Sequence, residues 1–80
     1  MVKYEGSKKG GVAAYQILDD AIILEFKDGR TYRYNYLRPG KRHVEEMKKL
    51  AVGGSGLTTY VNQHVRDNYY SQLHVTNNPS

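Results

Sequence analysis

The sequence predicts an α+β fold, a three-stranded antiparallel β-meander followed by two helices packed on one of its faces, in the order βββαα. Three observations predict it. Residues 12–36 fall into three strand-like runs separated by "DD" and "DG". Residues 41–73 then change to helical spacing of the apolar positions, broken once by "GGSG". At 80 residues the chain is one small domain with a thin core.

The first strand is "VAAYQIL", with Ala13, Tyr15 and Ile17 on one face. "AIILEFK" is the second, with Ile22, Leu24 and Phe26 on one face, and "RTYRYNY" the third. Turn chemistry fixes the register. A two-residue turn at Asp19-Asp20 pairs Ile17 with Ile22 and Tyr15 with Leu24. At the second hairpin, a two-residue loop would set Leu24 opposite Arg33. A three-residue loop, Lys27-Asp28-Gly29, sets Leu24 opposite Tyr32 and Ile22 opposite Tyr34, with Gly29 in the left-handed position of a bulge. A one-residue slip moves every side chain to the other face, so burial selects the second register. Tyr32 and Tyr34 are then core, and Tyr36 sits half exposed at the strand end. The opposite face carries Ala14, Gln16, Ile23, Glu25, Thr31, Arg33 and Asn35 and is expected to be open.

"KRHVEEMKKLAVGG" reads as a helix, with Val44, Met47 and Ala51 on its buried face and Glu45 paired to Lys49. Gly53 is its expected stop. "SGLTTYVNQHVRDNYYSQL" reads as a second helix with a stripe of Leu57, Val61, Val65, Tyr69 and Leu73, capped by Ser55 or Thr58. Residues 1–11, rich in Lys, Gly and Ser, read as a flexible basic arm, and residues 74–80 as a flexible tail. Residues 12–73 are then the folded domain.

Composition bounds the function. Eight tyrosines against one phenylalanine and no tryptophan suit a core close to water. The lack of cysteine removes disulfides, thiolate metal sites and cysteine nucleophiles. The polar start, "MVKYEGSKKGG", is no signal peptide, and "AIIL" is too short to cross a bilayer. A soluble cytoplasmic protein without a membrane partner is expected. The net charge of +4 favours a nucleic-acid partner.

"LEFKDGRTYRYNYL" followed by "SGLTTYVNQHVRDNY" resembles the KTSC domain, named for its occurrence at the C-terminus of some lysyl-tRNA synthetases and also found as small stand-alone bacterial proteins. The family pattern falls here on Phe26, Gly29, Tyr32 and Tyr34, then on Tyr60, Asn62, Val65 and Tyr69, with Ser55-Gly56 before the last helix. The likeness covers roughly residues 11 to 70; "RPGKR" departs from the Val-Pro linker common in the family. The resemblance implies a single KTSC-like domain over 12–73, a βββαα unit and an RNA-associated role.

Catalytic motifs are missing. "GGSGL" lacks the final glycine of a nucleophile elbow, and no Walker lysine follows it. It reads as a helix–helix turn; its alternative is an anion contact at Ser55 and Gly56, using backbone N–H groups. His43, His64 and His74 have no metal-ligand spacing, and Asp19-Asp20 and Glu45-Glu46 are explained by a turn and a helix start. No cofactor, metal or catalytic residue is expected. Asn62 reads first as structural, with base reading as its alternative. Arg30, Arg33, Arg38, Lys41 and Arg42 cluster in sequence, and Arg66 lies four residues from Asn62. Such charges usually form only a solvated surface; their alternative is a footprint on a phosphate backbone, with Lys8 and Lys9 adding charge from the arm. The expected function is a small non-enzymatic module that binds RNA or another nucleic acid through this basic surface. The competing reading is a protein-interaction or self-associating domain, seeded by Ile23 on the open sheet face.

Overall fold

The computed structural model describes residues 1–6 and 11–73. It contains a five-stranded sheet in the order β1 (Val2–Lys3), β2 (Val12–Leu18), β3 (Ala21–Phe26), β4 (Thr31–Asn35) and β5 (Ser71–Leu73), antiparallel throughout. Helix α1 (Lys41–Gly53) and the short helix α2 (Leu57–Tyr60) lie between β4 and β5. α2 runs into one π-helical turn over Val61–Val65, closed by the Arg66 N–H donating to the Val61 carbonyl. The class is α+β, but the expected βββαα order is wrong. Two edge strands were missed, and the last one follows the helices.

The inner hairpins follow turn chemistry. Ile17 pairs with Ile22 and Tyr15 with Leu24, while Leu24 pairs with Tyr32 and Ile22 with Tyr34. Gly29 has φ 93, as the bulge requires. The fully buried Ile22, Leu24 and Tyr34 face Val44, Met47 and Ala51 of α1 and Leu57, Val61 and Val65.

The added strands have physical causes. Val2–Lys3, expected in an arm, pair with Tyr15 and Ala14, and Tyr4 beyond them is 1% exposed. The Leu57 N–H donates to the Tyr4 hydroxyl at 2.9 Å, so Tyr4, and neither Ser55 nor Thr58, satisfies the start of α2. The Thr58 hydroxyl instead accepts from the Val12 N–H. The expectations for residues 7–10 and 74–80, including Lys8, Lys9 and His74, lie outside the described residues.

The second helix was expected to run to Leu73 and stops at Val65. Apolar residues every four positions advance ~40° round an α-helix at each step, so a straight helix would turn Leu73 to the far side. The wider π turn holds Val61 and Val65 on the sheet. The chain then reverses at Arg66–Asn68, and β5 pairs with Thr31, Tyr32 and Arg33. That pairing satisfies backbone groups β4 would otherwise expose at the sheet edge.

Smaller differences are local. α1 ends at Gly53, and the left-handed residue that caps it is the next one, Gly54, with its N–H donating to the Leu50 and Ala51 carbonyls. Glu45 pairs with Lys48 at 2.9 Å rather than with Lys49. Ile23, expected to be exposed, is 8% exposed although no helix among the described residues covers its face. Its cross-strand neighbours are Gln16 and Arg33, whose long side chains flank it. No helix among the described residues is long and apolar enough to cross a membrane.

Candidate nucleic-acid interface

Strand alternation sends Phe26 and Tyr32, at the hairpin end of β3 and β4, and Tyr34, further along β4, towards the helices. The reversal after the π turn brings Tyr69 against them. The Tyr32 and Tyr69 rings lie 4.4 Å apart between centroids and tilt by 30°. Phe26 meets Tyr32 edge-on at 5.7 Å, and Tyr34 meets Tyr69 edge-on at 6.2 Å. This aromatic cluster lines a notch of about 180 Å³, with Asp28, Arg30, Asn62, Arg66 and Asp67 among its other walls.

The polar walls divide into two sets. Asp28 and Arg30 satisfy each other: the Arg30 N–H donates to the Asp28 carboxylate at 2.9 Å, and their charged ends lie 3.6 Å apart. Tyr32, and after it Asp28, hold the Arg30 guanidinium above its ordinary pKa. The side chains of Asn62, Arg66 and Asp67 have no hydrogen-bond or ion-pair partner among the described residues. Arg66 has φ 38 and ψ −110, a positive-φ conformation costly for a side chain of its size. Two bonds hold it there, its N–H to the Val61 carbonyl and the Tyr34 hydroxyl donating to its own carbonyl at 3.3 Å. Burial, foremost, pushes the Tyr34 hydroxyl pKa up, with Tyr32, Tyr69 and Asp67 adding to it. Tyr34 thus stays a neutral donor.

The expected basic footprint does not assemble as one surface. Arg30 and Arg66 reach the notch. The Arg38 Nε donates to Asn68 at 2.6 Å, which ties the β4–α1 loop to the reversal that carries Arg66 and Tyr69. Arg33 lies on the opposite sheet face, with its Nε buried and unbonded among the described residues. Lys41 and Arg42 lie on the outer side of α1 and share a groove with Glu45, Glu46 and Lys49, a mixed-charge surface. Ser55 and Gly56, the residues of the expected anion contact, are exposed, and the neighbouring Leu57 N–H is taken by the Tyr4 hydroxyl.

The quoted motif residues separate by role. Tyr34 and Val65 are core and Gly29 is the turn. Asn62, expected to be structural, is exposed on the notch wall. Tyr60 leaves the cluster and turns towards α1. Its hydroxyl lies 2.7 Å from His43 Nδ1, and its ring lies 4.5 Å from that of His64. Among the described residues no three His, Asp or Glu side chains gather as a metal site. Asp67, which sequence reasoning missed, had a signal: "RDN" is a turn sequence inside an expected helix.

The chain matches no family model, no curated protein and no solved structure. The resemblance to the KTSC domain therefore rests on the quoted residues alone.

Proposed function

We propose that this chain is a small, non-enzymatic module that binds single-stranded nucleic acid, RNA foremost, through the notch rather than through one continuous basic surface. One observation carries the reading: an aromatic stack, with a guanidinium and an amide that have no partner among the described residues, lines a single small concavity from distant parts of the chain. Unpaired bases stack on aromatic rings, and guanidinium groups bind phosphate or base edges. The KTSC resemblance, with its RNA-associated role, and the net charge of +4 support the same reading. A cytoplasmic location belongs to this proposal and is supported by the lack of cysteine.

Fluorescence anisotropy with mixed-sequence single-stranded RNA and DNA, at several salt concentrations, tests it. Binding should weaken as salt rises. Tyr69→Ala should reduce affinity about tenfold or more, as expected for one lost stacked base. Parent-like binding by both Tyr69→Ala and Arg66→Ala, with unchanged melting curves, would overturn the notch as the site.

The self-association reading has its own observation, though not at Ile23. Met1, Val2, Ile17 and Val52 are exposed and share a groove beside the β1 edge. Among the described residues the short β1 pairs with Ala14 and Tyr15 and no strand pairs with the outer edge of residues 16–18, where a second copy could add. A concentration-dependent dimer on a sizing column, with no oligonucleotide binding, would favour this reading.

A further inference from the structure

Exposed polar side chains without a protein partner among the described residues line the notch. Its aromatic wall is sequence-tolerant, because every base has a π face. Arg30 and Asp28 are occupied with each other. Asp67 and Arg66, neighbours in the chain, remain without partners among the described residues and line the same concavity. One is a carboxylate, which when ionised only accepts hydrogen bonds. The other is a guanidinium, which only donates.

A base that satisfies both must present paired donors on one edge and paired acceptors on another. Guanine does so, with N1–H and N2–H₂ on its Watson–Crick edge and O6 and N7 on its major-groove edge. Uracil places a single N–H between two carbonyls, which would face a carboxylate with lone pairs. Adenine and cytosine set one amino donor beside a ring-nitrogen acceptor, so they offer a carboxylate one bond. We infer that the notch takes one unpaired guanine, stacked on the Tyr69–Tyr32 wall, with Asp67 reading its donor edge and Arg66 its acceptor edge; this rests on the nucleic-acid reading above.

The backbone supports this assignment. Arg66 keeps its positive φ through the Tyr34 hydroxyl and the Val61 carbonyl. Strain held in place by neighbours is found where side-chain direction matters for binding. The carboxylate is also poor equipment for a general phosphate site. Asp67 would repel a backbone phosphate, so its presence in the notch favours base reading over nonspecific charge contact.

The test is fluorescence anisotropy on the full chain with short labelled oligouridines. Each carries one central guanosine, inosine, adenosine or cytidine, and unsubstituted oligouridine is the reference. The guanosine probe should bind about tenfold tighter than the reference, the order expected for one well-made bidentate contact. Inosine, which lacks the 2-amino group, should lose much of that gain, a comparison that needs no variant. Asp67→Asn should melt as the parent does and lose the preference for guanosine over adenosine. Equal binding of all probes would overturn the guanine assignment and leave the nucleic-acid reading standing. A preference for adenosine or cytidine would also overturn it. Absence of binding to every probe would overturn both readings.

Discussion

Tyr4 closes the molecule from a segment whose composition looks like an unfolded arm. Its ring is in the core and its hydroxyl accepts the Leu57 N–H at the buried start of α2. Tyr4→Phe keeps the ring and removes the acceptor, leaving a buried donor unpaired. It should lower stability by about 1–3 kcal/mol in urea unfolding. Arg66 presents the opposite balance. Arg66→Gly relieves the φ 38 strain and removes the guanidinium. Its melting temperature should equal or exceed the parent's while oligonucleotide binding falls, because the strain serves the notch and not the core. A large loss of stability would show that Arg66 is needed for folding instead.

Among the elements, the β3–β4 hairpin was the most legible. Asp-Gly and the alternating tyrosines admit one register that buries Tyr34, and the ladder has it. A methyl at Gly29 would meet nothing within 4 Å, so Gly29→Ala should cost only conformational strain, about 1 kcal/mol in thermal unfolding. Lys27→Ala should be nearly neutral. A larger loss at Gly29 would mean that the hairpin had changed register. The second helix was the least legible element. Its stripe from Leu57 to Leu73 fits an amphipathic helix in sequence, yet only Leu57, Val61 and Val65 of it are buried. The outer edge of β4 decided where the helix ends, and that demand is not written inside residues 55–73. β1 was missed for a related reason: two residues are too few for periodicity to show.

For the whole molecule, the abundance of tyrosine has a consequence at alkaline pH. Burial raises the Tyr34 and Tyr60 pKa values above the ordinary 10.0, and the hydrogen bond to Glu45 does the same for Tyr36. Above pH 10 the unfolded chain releases these protons more readily than the folded one. Stability is therefore fully present below pH 10 and lost as pH rises through the folded values. Circular dichroism should be lost as the last part of the tyrosinate absorbance develops in an alkaline titration; full tyrosinate formation with the fold intact would contradict this. Glu45 acts at the other end. The Tyr36 hydroxyl, then Lys48, hold its carboxyl below 4.5. Its contribution is present above pH 4.5 and lost as pH falls through the lower folded value. Glu45→Gln should flatten the acid limb of melting temperature against pH.

The sequence by itself determined the α+β class, the two inner hairpins, the buried face of α1 and the place of Tyr34 in the core. These follow from local turn chemistry and from side-chain periods of two and 3.6, which act over a few residues. Tertiary structure decided the two edge strands, the end of the second helix, the cover over Ile23 and the division of the basic residues among three surfaces. It alone gathered Phe26, Tyr32, Asn62, Arg66, Asp67 and Tyr69 around one notch. Those residues meet because the sheet needed a strand beside β4, which sent the chain back past the hairpin end. Saturation of a sheet edge is a demand between distant segments, and no local pattern in residues 62–69 records it.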